Sequence, residues 1–281
     1  SVQENQVTAR LTTVPVVTPM GYTLAVREQA KTGLAMLVAG RQSADQHSQA
    51  QIDQAVTQAQ RVLVDHGYAS EQIKLFNATQ GELSVSALRA AIEDWPVQQG
   101  LTPEMPLLIY LAGRGEQERY YLTDQISITA QQLALWLANL TARTGAQQIT
   151  VVIEASRAGS FVELLAAPHR LIVSGTDEQG SCWPTSQGLL FADTFWSMLD
   201  RGLSMEQSYQ QGLTAVQTAG YYCTGTASWC QRPRLKVNGD GQGLARSLPG
   251  PYPQLGPQIQ TVTITPTATA NQFLLDAKLL A

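Results

Sequence analysis

Hydrophobic positions follow two patterns along the chain, and the contrast between them predicts strands and helices. Continuous apolar runs occupy residues 33–39, 106–112, 149–154 and 171–174. Uninterrupted runs of this length are typical of strands buried on both faces of a sheet. Between them, apolar residues recur at helical spacing, as in 48–66 and 129–140. The pattern therefore predicts alternating strands and helices.

This alternation predicts an α/β domain over residues 33–246, with a mostly parallel sheet between helices on both faces. Ser84 and Thr129 are expected helix N-caps, and Pro96 is expected to end the helix that Ser84 begins. Two further helices are predicted near 189–199 and 204–219.

In such a sheet, ligands bind beyond the carboxyl ends of the strands. The loops that matter for function are therefore those after Ala39, Ala112, Glu154 and Ser174.

The two ends of the chain differ from this domain. Residues 1–32 are polar and mixed, which predicts an N-terminal extension. Residues 247–257 contain four prolines and predict a stiff linker. In residues 258–281, a period-two alternation and an apolar run predict two β-strands. These strands either pair with the edge of the main sheet or begin a further β domain.

Composition narrows the function classes. The 281 residues are 44% hydrophobic and 14% charged, and the net charge is −4 with scattered basic residues. Nucleic-acid binding needs clustered Lys and Arg, so it is not expected. No apolar run reaches the ~18–20 residues of a membrane span, so no membrane insertion is expected. The chain starts at Ser1 without a visible signal peptide, which is consistent with a processed product and does not exclude export.

Three cysteines are too few for a disulfide scaffold. Cys223 and Cys230 flank a short loop and either form a small disulfide or remain two thiols. No histidine or further cysteine lies near them, so no zinc site is predicted. The segment Lys236–Gly241 resembles the start of a calcium loop but lacks its first and late acidic ligands, and it predicts a tight turn. No metal or cofactor is expected.

Two loops at predicted strand ends carry candidate chemistry. The second buried strand is followed by Gly113-Arg114-Gly115. The third ends at Glu154 and continues Ala-Ser156-Arg157-Ala-Gly159. Each loop presents a side chain among small residues, which allow other backbone to approach closely.

In order and spacing, these loops resemble the legumain and caspase-like cysteine peptidases. In those peptidases one strand ends in Gly-His-Gly and the next in Asp/Glu-Ala-Cys, and these motifs supply the catalytic dyad. Here Arg114 stands at the histidine position and Ser156 at the cysteine position. Gly159-Ser-Phe161, Ser174-Gly-Thr176 and residues 231–241 extend the resemblance to about residues 33–245. It implies a three-layer αβα caspase-like fold.

The departures from the family motif predict an inactive site. An arginine has no lone pair to accept a proton near neutral pH, and a serine hydroxyl is far less acidic than a thiol. The leading hypothesis is a pseudopeptidase domain that binds a protein or peptide or plays a structural part. We expect it to belong to a larger exported protein, at an extracellular, periplasmic or cell-surface location. The alternatives are an active endopeptidase relative or Ser156-dependent hydrolase, and a structural subunit that oligomerises through its terminal segments.

Other residues offer substitutes for the missing dyad. His47, in the predicted loop after the first strand, is a candidate base, and Cys182 is a candidate displaced nucleophile. A solvated histidine and an inert thiol are the ordinary interpretations. His66 and His169 are expected away from the carboxyl edge.

Arginines also suggest an anion site. Backbone N–H groups near Gly115 and Ser156, with Arg114, Arg41 and Arg157 close by, predict a hollow for a carboxylate-bearing peptide or small anion. Arg41 is also the nearest positional candidate for the substrate-selecting arginine of the family. The alternative is that Arg114 simply pairs with Glu154, Glu116 or another local acid.

Overall fold

The computed structural model describes most of the α/β domain and two C-terminal strands. The described residues are 33–42, 46–77, 83–186, 188–225, 227–238, 248, 259–266 and 273–279. The chain divides into two compact units, residues 31–251 and residues 1–30 together with 252–281. The predicted extension 1–32 and linker 247–257 lie outside the described residues, apart from Leu248.

Strands and helices alternate along the main unit as the hydrophobic pattern predicts. Its first half contains β1 Leu34–Ala39, α1 Gln46–Asp65, β2 Ile73–Phe76, α2 Val85–Glu93, α3 Trp95–Gln98, β3 Leu107–Ala112, β4 Gly115–Glu116, β5 Arg119–Tyr121, β6 Ser127–Thr129 and α4 Ala130–Thr144. Its second half contains β7 Ile149–Glu154, α5 Val162–Leu165, β8 Arg170–Ser174, α6 Leu190–Asp200, α7 Met205–Thr218 and β9 Arg234–Asn238.

The central sheet has six strands in the order β2-β1-β3-β7-β8-β9. The first five run parallel, and β9 pairs antiparallel with β8. Ala39 lies opposite Ala112, which in turn lies opposite Glu154. Because neighbouring parallel strands end together, the loops that follow them meet at one edge of the sheet.

Each face of the sheet is covered by a helical layer. One apolar cluster joins the sheet to α2, α4 and α5, and a second joins it to α1, α6 and α7. Every residue of β1, β3, β7 and β8 is buried, as expected of strands enclosed between two layers. This is the predicted α/β architecture with a mostly parallel sheet.

Local sequence signals explain where several helices begin. The hydroxyls of Ser84, Thr129 and Ser204 each accept a hydrogen bond from the backbone N–H three residues later. Such N-caps satisfy donors that have no partner inside the helix. Thr129 and Ser204 also form capping boxes with a glutamine.

Three details differ from the sequence interpretation. Pro96 does not end α2, which stops at Glu93, but lies in the first turn of α3, where a proline is tolerated. His47 lies in the first turn of α1 and not in a loop. The pattern did not predict β9, because this edge strand is partly exposed and carries charged residues in place of an apolar run.

The C-terminal strands form a separate pair. β10 Ile259–Pro266 runs antiparallel to β11 Phe273–Leu279, with a register irregularity between Ile259 and Thr261. The period-two alternation and the apolar run thus correctly indicated one strand each.

Candidate functional site

The carboxyl ends of β3 and β7 bring the two loops of the sequence motif together. The backbone N–H of Gly113 donates to the carbonyl of Glu154 at 3.0 Å, just beyond the last paired position. A Cβ on Gly115 would lie only 2.2 Å from the carbonyl oxygen of Ser156. The loops that contain Arg114 and Ser156 therefore touch backbone to backbone at the same edge, as the parallel topology requires.

Arg114 is engaged by its own loop. Its Nη2 donates to Glu116 Oε1 at 2.7 Å, and its guanidinium carbon lies 4.3 Å from the centre of the Tyr121 ring. The Tyr121 hydroxyl donates to the other Glu116 oxygen at 2.9 Å. Hydrogen bonds from Tyr121 and Arg114 lower the pKa of Glu116. The guanidinium is thus paired with a carboxylate and lies against an aromatic face. This arrangement corresponds to the alternative in which Arg114 pairs with a local acid, and that acid is Glu116.

Ser156 is half-buried beneath a neighbouring loop. Its Oγ accepts a long hydrogen bond, 3.4 Å, from the backbone N–H of Cys182. The next residue, Arg157, adopts a left-handed conformation with φ 59°, and its N–H donates to the carbonyl of Gly180 at 2.9 Å. Its side chain is exposed. Residues 180–182 therefore lie against the segment that the resemblance assigns to a nucleophile.

The described histidine side chains lie elsewhere. His66 is fully buried beside Asp200, where α1 and α6 end. His169 precedes β8 and its N–H donates to the carbonyl of Asn238. Both positions lie towards the amino edge of the sheet, as expected. The His47 side chain lies outside the described part of the chain.

Glu154 ends β7 with a fully buried carboxyl group. Gln231 Nε2 donates to its Oε1 at 3.3 Å and to the carbonyl of Gly175 at 2.9 Å. A Cβ on Gly175 would lie 2.0 Å from Glu154 Oε2, so the carboxyl packs against bare backbone. Burial raises the pKa of Glu154 to about 8, and hydrogen bonds from Cys182 and Gln231 offset only part of this effect. Burial therefore favours the protonated, neutral form of this carboxyl group.

The surroundings of Cys182 disfavour its thiolate form, although the residue as a whole is only half-buried. Burial and the neighbouring Glu154 carboxyl raise its pKa well above the ordinary value. The thiolate is the nucleophilic form, so a thiol held protonated is inert near neutral pH.

The remaining predicted site residues have separate settings. Gly159 packs so tightly that a Cβ would lie 2.5 Å from the Asp177 backbone. Arg41 follows β1 with an exposed side chain, and its N–H donates to the carbonyl of Leu122 at 2.8 Å. Cys223 and Cys230 form a disulfide with Cα atoms 5.6 Å apart. The sequence had left their pairing open.

A buried polar cluster behind Ser156 escaped sequence reasoning. Burial raises the pKa of Tyr110, and the nearby Glu154 and Asp193 carboxyl groups raise it further. Burial also raises the pKa of Asp193, which accepts a hydrogen bond from Thr185. Of these residues, only Glu154 could be singled out from the sequence, because it ends a predicted buried strand. The other members come from distant segments with no local signal.

Neither a metal cluster nor a membrane-spanning helix is found within the described ranges. No three His, Cys, Asp or Glu side chains there are placed to hold one metal ion. No helix among them has both the length and the apolar character to cross a membrane.

Comparison with known proteins identifies the fold. No family model matches the sequence, and no curated protein matches it. Among solved structures, the crystal structure of Caspase-1 from Spodoptera frugiperda matches with a TM-score of 0.55 and 14% identity, covering 81% of this chain and 94% of that one. At this identity the likeness concerns the fold alone. The chain therefore has a caspase-like α/β fold, with a six-stranded, mostly parallel sheet between helices.

Proposed function

We propose that this caspase-like domain is catalytically silent and acts as a binding or structural module. The observation that carries the proposal is the setting of Arg114. Its guanidinium pairs with Glu116, in the loop that touches the backbone of Ser156. In the resembling peptidases this position holds the proton-accepting histidine. A guanidinium cannot accept a proton near neutral pH, so Ser156 lacks the base that its hydroxyl would need.

The Ser156 hydroxyl supports the same conclusion. Its oxygen accepts a hydrogen bond from a backbone N–H, and no described histidine side chain lies at this edge. A serine nucleophile needs an adjacent base to remove its proton during attack. The nearby Glu154 is a weak candidate, because its raised pKa keeps it protonated at pH 7.

The test compares peptide hydrolysis by the unaltered chain and by a chain carrying Arg114→His and Ser156→Cys. We expect no turnover above buffer for the unaltered chain across a mixed peptide library. Turnover that disappears in a Ser156→Ala variant would refute the silent-site proposal. Arg157→His is the matched control, because it adds a histidine directly after Ser156 in the sequence and leaves Arg114 in place.

A cysteine-dependent alternative centres on Cys182. It makes a separate forecast, namely rapid alkylation by iodoacetamide at pH 7. We expect slow alkylation, because burial raises the pKa of this thiol. Alkylation as fast as that of free cysteine would favour the alternative.

We further propose an oxidising location, such as the extracellular space, periplasm or cell surface. The Cys223–Cys230 disulfide supports this, since such bonds persist mainly in oxidising compartments. A protein or peptide is the proposed partner. If the domain instead assembles through its ends, deletion of residues 1–32 or 258–281 will change its sedimentation, whereas a pure binding module will keep its oligomeric state.

A further inference from the structure

We propose that the Cys223–Cys230 disulfide is a redox-sensitive latch: while intact it holds two loops against the Glu154–Ser156 segment, and a dithiol reductant releases them. We call residues 180–183 and the described residues of 221–232 the edge loops. Access to Ser156 depends on these loops whether or not the domain is catalytically silent.

The disulfide closes an exposed loop with one accessible end. Cys223 is partly exposed, whereas Cys230 is fully buried. Their separation in sequence is 7, and the described residues between them are exposed, including Trp229 at 52%. An external reductant therefore reaches the sulfur of Cys223 first.

Three hydrogen bonds join the two edge loops beside this bond. The N–H of Ser181 donates to the carbonyl of Cys230 at 3.1 Å, and its hydroxyl donates to the carbonyl of Ser228 at 2.8 Å. The indole N–H of Trp183 donates to the carbonyl of Trp229 at 2.7 Å. All three acceptors are backbone carbonyls of residues 228–230. Their positions therefore depend on the short loop that the disulfide constrains.

The contacts continue from residues 180–182 to the candidate site. The Cys182 N–H donates to Ser156 Oγ, and the Gly180 carbonyl accepts from Arg157 N–H. On the other side, Gln231 follows the buried cysteine directly and donates to Glu154. A continuous path of contacts thus links the disulfide to both ends of the Glu154–Ser156 segment.

The third cysteine, Cys182, is a poor attacking thiol for this disulfide. Cys182 lies next to Ser181, which bonds to the backbone of Cys230. Its thiol faces Glu154, and burial raises its pKa, so little thiolate is available to attack the disulfide. We therefore expect the bond to respond to an external reductant and not to exchange with Cys182, which the Cys182→Ala control below tests.

The chemistry of release is a two-electron exchange. A thiolate of the dithiol attacks the Cys223 sulfur, the S–S bond breaks, and the Cys230 sulfur leaves as a thiolate that takes up a proton. The second thiol of the reductant then attacks the mixed disulfide and frees Cys223. The reductant ends as a disulfide, and the protein carries two thiols.

Loop-closure entropy sets the size of the effect. For a separation of 7 residues, the chain-entropy relation gives about a 50-fold change in the balance between closed and open loop. Stacking of Trp183 on Tyr221, with ring centroids 4.6 Å apart, retains part of the closed form after reduction.

The experiment measures residue-resolved amide hydrogen exchange on the full chain, with and without dithiothreitol. We expect reduction to speed exchange at Ser181 and Arg157 by about 10- to 50-fold, with reversal on reoxidation. A Cys223→Ser/Cys230→Ser chain is expected to show the fast rates without reductant. Cys182→Ala is the matched control and should respond to the dithiol as the unaltered chain does.

Unchanged exchange at Ser181 and Arg157 in the reduced chain would overturn the proposal. So would equal acceleration throughout β3 and β7, because that would indicate a loss of global stability without selective release. Loss of the response in Cys182→Ala would show that the wrong sulfur had been assigned. Peptide hydrolysis is not a readout here, so failure of the latch and failure of the silent-site proposal are distinguishable.

Discussion

Replacing Glu154 with glutamine tests whether a buried, protonated acid lies behind Ser156. The side chain is fully buried, and its described neighbours include Gln231, Cys182 and the bare backbone at Gly175. Burial raises its pKa from an ordinary value near 4.5 to about 8. Glutamine has nearly the same shape and cannot ionise, so it removes the titration while keeping the packing.

The sign of the effect follows from linkage. The folded chain holds the proton of Glu154 more tightly than the unfolded chain does. The contribution of Glu154 to the free energy of unfolding is therefore greatest below about pH 4.5 and falls as the pH rises to about 8. Each pKa unit corresponds to about 1.4 kcal/mol, which gives an upper bound of about 5 kcal/mol over this window. Relaxation of the protein and entry of water make the real effect smaller than this bound. We therefore expect the free energy of unfolding to fall by about 2–4 kcal/mol across this pH window.

The assay is urea unfolding of the unaltered chain and Glu154→Gln at intervals between pH 4.5 and 8.5. We expect the two unfolding free energies to diverge as pH rises, with the glutamine chain the more stable at pH 8. Asp193, whose pKa burial also raises, leaves a smaller slope of the same sign in the variant. Glu206→Gln, at an exposed position on α7, is the control for loss of a carboxylate. Parallel curves for the unaltered chain and Glu154→Gln would refute the reasoning.

Three other perturbations test local features. Gly115→Ala places a Cβ 2.2 Å from a carbonyl oxygen and should cost more than about 2 kcal/mol in urea unfolding, whereas Gly225→Ala meets nothing within 4 Å and should stay within about 0.5 kcal/mol. Equal losses of unfolding free energy in the two variants would contradict the close approach of Gly115 to the Ser156 carbonyl. Ser204→Ala removes an N-cap and should lower the unfolding free energy by about 1 kcal/mol; no loss would mean that the cap is dispensable. Tyr121→Phe removes a donor to Glu116 and should raise the pKa of that carboxyl in an NMR titration, and an unchanged value would exclude the hydrogen bond.

The parallel part of the fold was predictable because it depends on local pattern. Strands β1, β3, β7 and β8 are buried on both faces, and a strand in that position needs an unbroken apolar run. Helix starts at Ser84 and Thr129 follow from capping chemistry within three residues. Strand β9 was missed because an exposed edge tolerates charged side chains, so its sequence carries no such run.

The candidate site was predictable only in part. Parallel pairing requires the loops after β3 and β7 to meet, so sequence order sufficed to bring Arg114 and Ser156 to one edge. The partner of Arg114 was left open between several acids, and the choice of Glu116 depends on the hairpin that presents Tyr121. That choice is a matter of side-chain geometry, which residue spacing does not specify.

Residue order and hydrophobic period were therefore enough to establish the layered architecture and to bring the loops of Arg114 and Ser156 to one edge of the sheet. The buried acid and the loops around it required the folded chain. Gln231 is 77 residues from Glu154, and Ser228 is 47 residues from Ser181. Contacts over such distances arise from the packing of whole loops, and this packing also sets the burial that shifts the pKa of a carboxyl group.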